Sequence, residues 1–153
     1  MVNGFLGGWQ MTGIVTLQTG FPFTPTVGGD LPNAGAGTVH PNLAGDNNGN
    51  LESDRTIDRW FNTSAFLAPA AFTFGNAGRN ILSGPGLQKV DFGIMKTFRI
   101  YEEQTLQFRA EFFNVFNHTN FLFPGMTVGA ADFGVIRTSL EPRDIQFALR
   151  YSF

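Results

Sequence analysis

The sequence contains no cysteine, which closes off disulfide and thiolate chemistry without fixing a compartment. Charge is scarce: Asp, Glu, Lys and Arg make up 14% of residues, against about a quarter in an average soluble domain. The formal net charge is -2 and the pI ≈ 5.6, so there is no basic footprint and nucleic acid is not an expected partner. No apolar run approaches the roughly 18 residues that a transmembrane helix needs. The opening MVNGFLGGWQ has neither a basic n-region nor a continuous apolar stretch, so no signal peptide is read there. A membrane location therefore has to be reached as β-structure, with the export signal expected on sequence upstream. GxSxG, HExxH and phosphate-cradling glycine loops are missing, and His40 and His118 stand far from a second ligand of usual spacing. Neither an enzyme nor a cofactor or metal site is expected.

What is abundant is glycine, with 19 residues, and phenylalanine, with 18, arranged in four segments that alternate with period two. In residues 7–20, Trp9, Met11, Gly13, Val15 and Leu17 share one face, and Gln10, Thr12, Thr16 and Gln18 share the other with Ile14. In residues 87–100, Val90, Phe92, Ile94, Phe98 and Ile100 oppose Lys89, Asp91, Gly93, Thr97 and Arg99. In residues 104–117, Leu106, Phe108, Ala110 and Phe112 oppose Gln107, Arg109 and Glu111. In residues 144–153, Ile145, Phe147, Leu149, Tyr151 and Phe153 alternate with Gln146, Ala148, Arg150 and Ser152. A soluble domain usually frays into a polar tail, whereas this sequence keeps its last residue in register with the apolar side.

Average strands run about 5–6 residues, but these are long enough to cross a bilayer at a tilt, which takes about 9–11. One face is too polar for a sandwich interior and suits the water-filled side of a barrel. The fold class read here is all-β, an antiparallel transmembrane β-barrel fragment of four long meander strands with one very long extracellular loop, 21–86. The parity of the apolar set requires an odd loop between the second and third strands, satisfied by a three-residue turn around Tyr101, Glu102 and Glu103. Phe98 then faces Leu106 or Phe108. Short periplasmic turns and long outer loops place Glu102 and Glu103 in the periplasm and Phe153 with them. FGVIRTSL, residues 133–140, would reverse that topology as a fifth span and is assigned to the extracellular side. Trp9, Phe98, Tyr101, Tyr151 and Phe153 then gather at the periplasmic rim as an interfacial belt. Four strands cannot close, since the smallest barrels use about eight, so the chain is expected to be part of something larger.

TFRIYEEQTLQFRAEFFNVFNHTNF and PRDIQFALRYSF resemble the C-terminal end of TonB-dependent outer-membrane receptors, in particular the Oar-like group, and GGWQMTGIVTLQTGFPFT and RWFNTSAF are similar to stretches of the same group. The resemblance implies a bacterial outer-membrane location and import of bulky nutrients through a plugged barrel. It also implies a last strand that signals to the barrel-assembly machinery, with Gln146, Ala148, Tyr151 and Phe153 in the signal positions and Ala148 replacing the preferred glycine. The partners implied are outer-membrane lipid, that machinery, and the remaining strands and plug of a receptor. The chain is not expected to transport alone.

Asp91, Arg99, Arg109, Glu111 and Arg150, with Lys89, are candidates for a lumen-facing network that touches substrate or plug; the competing reading is a solvated interior whose charges compensate each other. Lys96 lies on the apolar face, where snorkelling accounts for it. GDNNGN, residues 45–50, spaces Asp46, Asn48 and Asn50 alternately, but the EF-hand positions for glycine and glutamate hold Leu51 and Ile57, so a turn is expected. Sequons at Asn62 and Asn117 imply no glycan in such a protein. AFLAPAAFTFG, residues 65–75, is expected to pack within the large loop rather than meet a ligand. Two rival functions are a structural or adhesive outer-membrane barrel and a soluble glycan-binding β-sandwich.

Overall fold

The computed structural model describes residues 7–35, 37–45, 49–51 and 54–153. Its strands in chain order are β1 (Trp9–Gln18), β2 (Pro22–Phe23), β3 (Val27–Gly28), β4 (Thr38–Val39), β5 (Asn42–Leu43), β6 (Phe66–Leu67), β7 (Leu82–Ser83), β8 (Leu87–Tyr101), β9 (Gln104–Phe113) and β10 (Asp144–Ser152). The long ones form one antiparallel sheet in the order β1-β8-β9-β10, and the short ones pair as β2-β7, β3-β4 and β5-β6. Two units result: one holds the long sheet, and the other is built from Thr19–Gly86 and Phe121–Leu140.

Register shows why the alternation produces this sheet. Met11 pairs with Ile94, Ile94 with Ala110 and Ala110 with Phe147, so one row crosses all four strands with apolar side chains. The next row, Thr12, Gly93, Glu111 and Gln146, is polar or without a side chain. Because side chains alternate strictly, every second row repeats the choice. Most of the large apolar side chains stay exposed, among them Met11, Val15, Leu17, Phe108, Phe147 and Leu149. A sandwich would bury that face, so the soluble glycan-binding reading gives way to a lipid-facing wall.

The β8–β9 turn differs from its expected form. Tyr101 pairs with Gln104, leaving only Glu102 and Glu103 in the turn, with Glu102 at φ 46. The odd count that parity demands is completed by a bulge between Arg99 and Tyr101, which leaves Ile100 unmatched. Phe98 faces Leu106. β9 stops at Phe113 rather than 117, because Asn114 turns to φ 51, and β1 starts at Trp9 after Gly8 at φ 75.

The second unit owes its order to aromatic burial. Phe23, Phe61, Ala65, Phe66, Ala77 and Leu82 form its core, with Leu43, Trp60, Ile81, Val128 and Phe133 packed against them. Phe61 meets Phe23, Phe66 and Phe133 at centroid distances of 5.8, 5.8 and 5.1 Å, a range in which each pair adds about 0.5–1.5 kcal/mol beyond area burial. Residues 121–140 are knitted in by backbone bonds, Trp60 N to Gly134 O and Ile136 N to Ile57 O among them. Within this segment residues 133–140 form isolated bridges and no spanning strand. At β2-β7 a Cβ on Gly20 would lie 1.8 Å from Gly84 O, so glycine alone permits that backbone approach.

AFLAPAAFTFG is divided. Ala65 and Phe66 are buried as expected, but Phe72 is 77% exposed and Phe74 is also open, which corrects the expectation of self-packing there. Phe72 sits at φ 62, held by its N–H to Leu31 O at 2.7 Å.

Candidate functional site

The polar face of the long sheet gathers the sequence-predicted charges. The register places Asp91, Arg99, Arg109, Glu111 and Arg150 on one side, since Arg109 opposes Met95 and Ala148, Glu111 opposes Gly93 and Gln146, and Arg150 opposes Gln107. Two acids are matched from within their own strand: Lys89 Nζ is 3.0 Å from Asp91 Oδ2, and Arg109 is 2.5 Å from Glu111 Oε1. Residues two apart on a strand share a face, so this pairing follows from the sequence spacing. Among the described residues Arg99 and Arg150 have no ion pair.

Gly93 shapes the middle of this face. A Cβ there would lie 2.7 Å from Thr12 Oγ1, so the threonine occupies the room that the glycine leaves. A depression of about 250 Å³ adjoins it, lined by Gln10, Thr12, Met95, Arg109 and Glu111 among others.

Asp91 does more than compensate a lysine. Its Oδ1 accepts the Asn114 backbone N–H at 2.9 Å, at the point where β9 ends. Asn114 is buried; its Nδ2 donates to His118 O at 2.9 Å and its Oδ1 accepts from His118 N at 3.0 Å. Asn117 Oδ1 accepts from Arg143 N at 3.0 Å, and buried Asn120 accepts from Gln88 N at 2.8 Å. NVFNHTN thus ties the ends of β8, β9 and β10 together. From the sequence, NVFN stood out only for its resemblance and Asn117 only as a sequon. The missed signal was asparagine at every third position directly after a strand, a residue suited to positive φ and to local side-chain bonds.

Lys96 corrects the snorkelling expectation. It is 2% exposed, and its Nζ donates to Gly7 O while lying 4.9 Å from the Trp9 ring and 5.3 Å from the Phe98 ring. The ammonium is therefore enclosed by a carbonyl and two aromatic faces rather than extended to water.

Of the assembly-signal residues, Gln146 and Ala148 lie on the polar face opposite Glu111 and Arg109, and Tyr151 on the apolar face opposite Leu106. Phe153 follows the strand, 96% exposed, its ring 6.1 Å from Tyr151. Gln146, Ala148 and Tyr151 belong to the edge strand β10, which Phe153 follows directly. Asp46 and Asn48 of GDNNGN lie outside the described residues; Asn50 donates to Ile81 O at 3.1 Å. His40 Nδ1 is 2.7 Å from Ala77 O and His118 Nδ1 is 3.3 Å from Asn120 Oδ1, so each is engaged within its own unit.

A protein-family model described as an outer membrane beta barrel domain matches residues 1–146. No curated protein and no solved structure matches the chain.

Proposed function

The chain belongs to the outer membrane beta barrel domain family and resides in the bacterial outer membrane, and from that premise we propose that it supplies adjacent wall strands of a TonB-dependent receptor of the Oar-like kind that imports a bulky nutrient. The observation that carries this reading is the sheet itself: a face that is apolar except for the enclosed Lys96, a polar face behind it, and edges on β1 and β10 that pair with no further strand among the described residues. Each unpaired backbone group in hydrocarbon costs several kcal/mol, so both edges call for further strands, and a barrel needs about eight or more.

In this reading the Glu102–Glu103 turn faces the periplasm and the long connections face outward. Lipid covers the apolar rows, a plug fills the lumen, and β10 is read by the barrel-assembly machinery through edge pairing, with Gln146, Ala148, Tyr151 and Phe153 as its signal. The wall carries no catalysis. The test uses the receptor containing this chain in outer membranes, with the purified periplasmic domain of TonB as the probe. Specific capture of that domain is expected; no capture at saturating concentration overturns the transport reading.

A second reading, a structural or adhesive barrel, is favoured by one observation: the residues between the strands form a unit with its own aromatic core, suited to display at a surface.

A further inference from the structure

Charge on the polar face is unevenly distributed along the strands. Away from the β8–β9 turn, Asp91 has Lys89, Glu111 has Arg109, and Asp144 accepts from Gln146 Nε2 at 3.1 Å. Nearer the turn the same-face residues are Thr97, Arg99, Thr105, Gln107, Arg150 and Ser152, among which no acid occurs.

Gln107 lies at the centre of this zone. Arg150 is its direct cross-strand partner and Arg109 follows two positions along its own strand, while Arg99, which opposes Thr105, is its diagonal neighbour. Direct partners lie about 5 Å apart and diagonal ones about 7–8 Å. Three arginines therefore neighbour one neutral amide, which donates to Thr97 Oγ1 at 3.4 Å; Arg109 is drawn to Glu111, and the next acids along the chain, Glu102 and Glu103, lie in the turn beyond Arg99. A wall whose charges merely compensate would pair Arg99 and Arg150 as it pairs Lys89 and Arg109, yet among the described residues neither is in an ion pair, even with Glu102 and Glu103 in the adjoining turn. Threonine, glutamine and serine stand on their face instead, all able to bond an anion and none able to neutralise an arginine.

We propose that Arg99, Arg109 and Arg150 around Gln107 form a binding site for a small solute that carries clustered oxyanions, a polyphosphate or a polycarboxylate. Arginine suits both, because its planar fork grips phosphate or carboxylate in a bidentate manner. Arg99 and Arg150 lie on strands separated by β9, so a solute must present more than one oxyanion to engage both. The depression beside Arg109 gives the occupant room on one flank. This inference rests on the reading of the polar face as the barrel lumen.

The experiment takes the receptor containing this chain in nonionic maltoside micelles at low ionic strength and titrates pyrophosphate, citrate and an octaglutamate peptide by calorimetry. Both small anions are expected to bind, and R99Q/R150Q to weaken them by roughly tenfold or more through loss of charge-assisted bonds, whereas R79Q, in the other unit, leaves binding unchanged. R99K/R150K keeps the charge and guards against a folding defect: affinity between wild type and the glutamine variant supports the site. Undiminished binding in R99Q/R150Q, or none in folded wild type, overturns the proposal. Tighter binding of octaglutamate than of either small anion overturns the assignment to a small solute. In liposomes, A148C should react with a water-soluble maleimide. If it does not, the lumen reading itself fails; if it reacts while anion binding is absent, only this inference falls.

Discussion

Phe61 and Phe147 are the same residue under opposite demands. Phe61 is 1% exposed and in contact with three other rings; Phe147 is 68% exposed and, among the described residues, stacks only on Phe108, at 6.2 Å. The unit formed by Thr19–Gly86 and Phe121–Leu140 gathers Phe23, Phe61 and Phe66 into a core, with Trp60 and Phe133 against it, as a protein in water does, although Phe72 and Phe74 stay open. The sheet turns its aromatics outward and has no interior of its own. A single sequence, uniformly rich in phenylalanine, is thus sorted by the solvent each part meets, and the sorting is written in periodicity: period two where lipid is the solvent, none where a core gathers from distant positions.

The sharpest way to break this contrast is Phe61→Ala, expected to cost about 3–5 kcal/mol, as large core truncations do. The two tryptophans report the units separately, Trp60 beside the aromatic core and Trp9 on the sheet. With each replaced in turn by phenylalanine, denaturant titration in micelles should show the Trp60 transition moving and the Trp9 transition staying. Equal shifts in both would mean that the units do not melt independently. Next in size is Phe147→Arg, which in lipid should cost about 2–4 kcal/mol because it puts a cation near the middle of a lipid-facing strand. An unchanged unfolding midpoint in liposomes would remove the case for that face meeting hydrocarbon. Smallest is Phe72→Asn. Its φ of 62 is unfavourable for a bulky residue and its ring is open to water, so asparagine should stabilise the second unit by roughly 1 kcal/mol, read as a later onset of limited proteolysis.

The long strands were legible because an alternation kept up over ten or more positions fits a strand with two unlike faces and fits no helix; parity even anticipated three unmatched residues between β8 and β9. It did not anticipate that Ile100 would be one of them, as a bulge, because an extra residue in the strand and an extra residue in the turn satisfy parity equally. The core of the second unit was not legible. Phe23, Phe61, Phe66 and Phe133 are joined by no repeating interval, and glycine, proline and asparagine between them read as loop. Of the candidate site, the common face of Asp91, Arg99, Arg109, Glu111 and Arg150 followed from residue parity. The link from Asp91 to Asn114 did not, since it depends on where β9 stops, and strand ends are set by local backbone geometry that alternation does not record. Lys96 was placed on the correct face, but its enclosure involves Gly7, distant in sequence, and no local pattern announces such a contact.

The pairing of Lys89 with Asp91 and of Arg109 with Glu111, each inside one strand, bears on how such walls grow. A hairpin that matches the acids of its strands internally and keeps the others, Glu102 and Glu103, in its turn can be copied, lost or moved to another position in the ring without leaving a stranded carboxylate on the wall. Diversification by whole-hairpin duplication then requires no simultaneous change elsewhere in the gene, and ring size becomes free to vary faster than the chemistry inside it.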